Sequence, residues 1–184
     1  GKEESGPDAA DGNLFEGAAY AICSTPSAKP GATKAVASLA ESIGAVPYFI
    51  GAVEHDSYVA AVSHLPFLLS TTLVTCTSKS ASWRDMSRLA ASGYRDMTRL
   101  ASGDPVMHRD ICVTNQEAVV HWLDEFIMQL YELRNNIQDD PEGLERLHRL
   151  GPKTVPVVAR GAPRAQSRTP SVDSVVSGSP ENRY

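Results

Sequence analysis

No two glycines in the chain stand one residue apart, so the GxGxxG turn that lets a backbone approach a pyrophosphate is missing. GxxxxGK[ST] and GxSxG are missing too. These absences exclude a phosphate cradle of either kind, and a nucleophile elbow, from this stretch of sequence. The three cysteines, Cys23, Cys76 and Cys112, are odd in number, far apart and in apolar surroundings. That pattern excludes a disulfide framework and predicts buried free thiols in a reducing, cytoplasmic setting. The five histidines lack metal-ligand spacing, and no metal site is expected. No uninterrupted run of about eighteen apolar residues occurs, so no membrane span is expected. The chain opens on Gly1 rather than Met and continues polar and acidic, without secretory character. It reads as an internal or C-terminal piece of a longer protein.

Positive charge is scarce where most of the chain lies. The net charge is −5, but residues from Gly151 onward carry five Lys/Arg against two Asp/Glu. The first 150 residues therefore carry twelve against twenty, a net of −8. A body this acidic repels phosphate backbones, which excludes non-specific nucleic-acid binding.

What is present falls into three parts. GAAYAICST (17–25) and PYFIGAV (47–53) read as strands, with a helix between them over ATKAVASLAESIGA, its apolar stripe Val36, Leu39, Ala40 and Ile43, that Gly44 ends. Residues 1–54 thus look like one edge of an α/β domain, too small to bury a core alone. Residues 55–152 read as all-helical. SYVAAVSHLPFLLSTTLVTCT is apolar nearly all round and predicts a buried helix, kinked near His64 by Pro66. Asp104-Pro105 predicts a capped helix start. The longest helix is expected from about Asn115 to Ile137, with Val119, Trp122, Leu123, Phe126, Leu130 and Leu133 on its apolar stripe. Residues 153–184, rich in Pro, Ser and Arg, read as a disordered tail.

One segment says nearly the same thing twice. RDMSRLA (84–90) returns as RDMTRLA (95–101). On a helix Arg95 and Arg99 share a face, where like charges repel by roughly a few tenths of a kcal/mol. Asp96 can lean toward Arg99 but cannot neutralise both. Either the face is solvated, or an anion belongs there. Gly93 is expected to interrupt the helix between the copies, so the second copy lies between Gly93 and Gly103, and two guanidiniums beside a short helix suit a carboxylate. His64 likewise has two readings, a satisfied core histidine or a group set into a cavity that the proline kink opens.

These pieces, in this order, resemble the C-terminal part of the prephenate and arogenate dehydrogenases. The resemblance is carried by GKEESG, LFEGAAYAICSTP, IGAVPYFIGAVEHD, SHLPFLLSTTL, and SGYRDMTRLASGDPVMHRDI with the asparagine that follows, over about residues 1–135. It implies a mainly α chain: the remnant of a dinucleotide-binding domain, then a helical domain through which subunits form a homodimer. It implies NAD or NADP as cofactor, bound by residues expected upstream of Gly1, and a cyclohexadienyl dicarboxylate, prephenate or arogenate, as substrate. By the same resemblance Glu3 stands at the mouth of the active site and His64 at the substrate pocket. Arg99 holds a substrate carboxylate, flanked by Arg95 and Asp96. Two positions depart from the pattern. Phe67 stands where many relatives have a second histidine, and His108 where some have tryptophan. The competing expectations are a non-catalytic helical dimerisation module, or another two-domain NAD(P)-dependent dehydrogenase acting on a different acid.

Overall fold

A computed structural model of the chain describes residues 6–140, 142–146 and 149. Glu3 and the segment 153–184 lie outside the described residues. The described residues divide into two compact units: the first takes in those up to Ile50 and those from Asn136, and the second runs from Gly51 to Asn135.

In the first unit, β1 (Ala19–Ile22) and β2 (Val46–Phe49) pair in parallel, with Ala19 opposite Val46 and Ile22 opposite Phe49. A parallel pair needs a crossover, and α1 (Ala32–Ser42) supplies it. Its end is a Schellman motif: Gly44 N–H bonds Glu41 O, and Ala45 N–H reaches back to Ala40 O. That geometry puts Gly44 at φ 77°, where a side chain is disfavoured. The helix stop expected at Gly44 therefore has a specific cause. The core is small: Ile22, Ala37, Ala40 and Ala45 are buried. The large residues of the expected α1 stripe, Val36, Leu39 and Ile43, are exposed. Two strands offer too narrow a surface to cover more than the alanine face of the helix.

Strand β2 stops at Phe49, short of the expected 53, because Gly51 is the extended N-cap of the next helix. In the second unit, α2 (Ala52–Val59), a π-turn (Ala60–His64) and α3 (Leu65–Ser78) follow without a break. Pro66 has no N–H to offer Val62, so a regular helix would fail here. The chain adds one residue to the turn instead, and Leu65 N–H bonds Ala60 O, five residues back. The expected kink is thus a π-turn.

The expected burial of this helix is not observed. Ala60, Phe67 and Ser70 are buried, but Val62 is 77% and Tyr58 49% exposed. Only part of its circumference is packed, chiefly where α3 meets α5 (Ser92–Thr98) and the 3₁₀ turn Arg99–Ser102. Cys76, near its end, is exposed, whereas buried thiols were expected; Cys23 and Cys112 are partly covered. By length and composition alone Ala52–Ser78 is long and apolar enough to cross a membrane, despite its polar interruptions.

The two copies of the repeat differ in structure. The first forms α4 (Trp83–Met86) and a 3₁₀ turn over Ser87–Leu89; the second spans α5 and the 3₁₀ turn Arg99–Ser102. The break between them falls at Ala90 and Ala91, both extended, rather than at Gly93, which lies in the first turn of α5. Asp104 caps α6 (Pro105–Thr114) by accepting from Val106 N–H at 2.7 Å and Met107 N–H at 3.4 Å, with Pro105 at the first helical position. The longest helix, α7 (Gln116–Asp139), lies close to its expected bounds.

Candidate functional site

The second unit places one ionisable side chain among rings and amides. His64 ends the π-turn, half covered, and the Phe67 ring lies 6.1 Å from it, one turn on. Phe67 is 6% exposed, and His108 of α6 stacks on it with ring centroids 4.1 Å apart and planes within 6°. The two positions that depart from the family pattern are therefore in contact with each other. Gly103 makes room for this stack. A Cβ there would sit 2.5 Å from Cε1 of His108.

Asn115, between α6 and α7, reaches the same place. Its Nδ2 donates to the backbone carbonyl of Asp56 at 2.8 Å and lies 3.4 Å from Nδ1 of His64. Seven residues on, Trp122 donates its indole N–H to Ser57 O at 3.0 Å. Asn115, the buried Val119 and Trp122 thus form one stripe, two turns long, that holds α2 just before the π-turn. Burial lowers the pKa of His64; Asp56 pulls it upward and His55 pushes it down. Desolvation leads, so the neutral imidazole is favoured at neutral pH. Desolvation also raises the pKa of the Cys112 thiol, which keeps it protonated.

The arginines are positioned from the end of α3. Thr77 Oγ1 and Tyr94 Oη share a hydrogen bond of 2.8 Å, and Trp83, just ahead of the first repeat, packs against Tyr94 with ring planes tilted by 47° and centroids 6.0 Å apart. This ties α5 to α3. Arg95 and Asp96 are exposed on α5, and Arg99 is exposed where the chain passes into the 3₁₀ turn. Arg95 and Arg99 therefore do not share one α-helix, as the expected face required. The turn that carries Arg99 packs on α3, the helix that follows His64. In the first repeat, Asp85 pairs with Arg88 at 3.8 Å in solvent, a contact worth little.

Sequence reasoning missed Asn115 as a site residue. The signal was an amide at the boundary of two helices, where a cap was the ordinary reading. No group of three or more His, Cys, Asp or Glu able to hold a metal occurs among the described residues.

Fold and site together define a class: a parallel α/β edge joined to a helical unit, with an imidazole at a π-turn flanked by stacked rings. Residues 51–150 match the family model described as prephenate dehydrogenase, dimerization domain. The chain belongs to the prephenate dehydrogenase family. It is 32% identical over 148 residues to the prephenate dehydrogenase of Bacillus subtilis, covering 79% of this chain and 40% of that protein. It is 34% identical over 142 residues to the cyclohexadienyl dehydrogenase of Zymomonas mobilis, covering 74% of this chain and 47% of the relative. The crystal structure of prephenate dehydrogenase from A. aeolicus in complex with hydroxyphenyl propionate and NAD+ superimposes with a TM-score of 0.78 at 29% identity. That match covers 85% of this chain and 56% of that one. The chain thus spans less than half the length of these curated relatives.

Proposed function

We propose that this chain is the C-terminal part of an NAD(P)-dependent dehydrogenase that oxidatively decarboxylates prephenate or arogenate on the route to tyrosine. The observation that carries this reading is the match of residues 51–150, a span that takes in the whole helical unit, to the family's domain. The likeness to a solved relative with NAD+ supports a nicotinamide cofactor. When bound, that cofactor accepts the hydride from the ring carbon bearing the hydroxyl; the hydroxyl proton is lost and the ring carboxylate leaves as carbon dioxide. The sequence holds no glycine-rich phosphate loop, so nucleotide binding is assigned to a further part of the complete protein.

The chain's own residues bind and orient. Arg99 holds a substrate carboxylate, with Arg95 and Asp96 shaping the field around it, and His64 faces the ring. Glu3 is assigned to the mouth of the site. Phe67, backed by the stacked His108 ring, offers flat apolar area where many relatives carry a hydrogen-bonding histidine, so substrate side-chain selection at that position relies on shape.

Two further assignments accompany this reading. The enzyme works in the cytoplasm, which suits three free cysteines. It pairs with a second copy of itself, supported by the exposed helical stripe Ile127, Leu130, Tyr131 and Arg134 on α7 and by the family model's description.

Arg99→Ala in the complete protein tests the assignment of function. Loss of the carboxylate contact is expected to lower kcat/KM by the equivalent of about 2–4 kcal/mol, with normal nucleotide affinity. Unchanged steady-state kinetics toward both prephenate and arogenate would remove Arg99 from the site.

A further inference from the structure

We propose that Asn115 is a positioning residue that fixes His64 as the Nε2–H tautomer, leaving Nε2–H as the donor presented to whatever the ring faces. The Asp56 backbone carbonyl can only accept. It lies 2.8 Å from the terminal nitrogen of Asn115. Turning the amide over would set two oxygens against each other, so this contact fixes which end of the side chain is NH₂. An NH₂ group carries two hydrogens and cannot accept. The ring atom 3.4 Å from that same nitrogen is Nδ1 of His64, so Nδ1 must be the acceptor and carries no proton. In a neutral imidazole the proton then resides on Nε2.

The lock is built into the fold rather than into one contact. Asn115 sits where α6 gives way to α7, with φ −123° and ψ 39°, outside both helices. Val119, one turn into α7, is buried, and Trp122 bonds Ser57 O beside the carbonyl that Asn115 holds. The amide is therefore anchored through α7, not free to follow the imidazole. The groups that bear on the ring's charge are Asp56 and His55 on α2, which oppose each other. On α6, His108 is stacked on Phe67 next to the ring. None of these offers a second acceptor contact to Nδ1 among the hydrogen bonds of the described residues. Protonating Nδ1 would turn an accepted hydrogen bond into an N–H against N–H contact, so Asn115 also opposes the imidazolium.

The consequence for catalysis rests on the proposed placement of His64 at the substrate; the tautomer does not. The test separates the two. Long-range ¹H–¹⁵N correlation spectra of the full chain at pH 7.5, with His64 assigned by His64→Gln, read the tautomer directly. The expected pattern is an unprotonated Nδ1 and a protonated Nε2, favoured roughly tenfold. Asn115→Asp supplies an acceptor in place of the donor. It is expected to reverse the pattern to Nδ1–H and to raise the pH at which His64 titrates. Asn115→Leu is expected to give a mixture of tautomers. A protonated Nδ1 or an even mixture in the unaltered chain overturns the proposal without recourse to any variant. A pattern that Asn115→Asp leaves unchanged, in a protein that still melts cooperatively, overturns it as well. In the complete protein, the acidic limb of the kcat/KM profile should move to higher pH in Asn115→Asp. A reversed tautomer with an unmoved profile supports the lock and overturns the placement of His64 at the substrate.

Discussion

Gly103 lacks a side chain for a reason that is visible only across the chain. Its backbone is extended, at φ −66° and ψ 166°, which any residue can adopt. The constraint is the His108 ring, which cannot withdraw without leaving the face of Phe67. Gly103→Ala should therefore destabilise the second unit by about 1–3 kcal/mol through overpacking. The check is a cycle of urea denaturation curves. In a His108→Ala background the same substitution should cost little, since the clashing ring is gone. Equal cost in both backgrounds would assign the effect to the backbone.

His64 ties the stability of the fold to pH. Its folded pKa lies below the ordinary value of 6.5, led by burial. Between those two values the unfolded chain binds more protons than the folded one, so stability rises with pH across that window. Stability is complete above about 6.5 and is lost as the pH falls toward the folded value. His64→Gln should flatten the dependence of unfolding free energy on pH between about 7.5 and 5 relative to the unaltered chain. Parallel curves would show that His64 is not perturbed. These residue-level facts were only partly legible. Pro66 and the SHLP segment announced that His64 was special, but nothing local in the sequence connects it with Asn115, fifty-one positions away. Phe67 and His108 were each visible as departures, while their stacking depends on how α3 and α6 meet.

Local chemistry explains most of the elements. Asp104 is followed by Pro105, and the cap predicted from that pair forms through two backbone N–H groups. Asp104→Ala should cost about 1 kcal/mol of stability, with Asp104→Asn close to neutral. Thermal denaturation of the two variants beside the unaltered chain decides this, and an Asp104→Ala variant as stable as the unaltered chain would deny the carboxylate its capping role. Caps and glycine stops were legible because their cause lies within a few residues. Gly44 and Asp104 show this directly. The π-turn was only half legible, because a proline inside a helix demands an adjustment without specifying which. The break between the repeats was misplaced for a similar reason. Gly93 looked like the interruption, yet a glycine is tolerated in a first helical turn, and the extended Ala90–Ala91 pair carries the change of direction.

The unmet expectations of burial belong to the whole molecule. Periodicity marks which face of a helix is apolar, not what covers it. In α1 the large residues are exposed while Ala37 and Ala40 are buried, and in α2 and α7 much of the apolar face is open. Ile127, Leu130, Tyr131 and Arg134 fall at i, i+3, i+4 and i+7, a helical stripe that the second unit itself leaves uncovered. Introducing two charges there, as Ile127→Glu with Tyr131→Glu, should break the proposed dimer of the complete protein into monomers while leaving helical content intact. Sedimentation velocity and circular dichroism read the two quantities separately. A dimer that survives both charges would place the pairing surface elsewhere.

The added residue in the π-turn has a consequence for how this segment tolerates change. An α-helix advances about 100° per residue, so one surplus position sets the angular phase of everything beyond it. An in-frame deletion of a single codon between Ala60 and His64 would leave composition and apolar character almost as they are. It would also swing Phe67 and Ser70 away from the side on which they are now enclosed. Substitutions in this stretch are open to repacking; a change in its length is not.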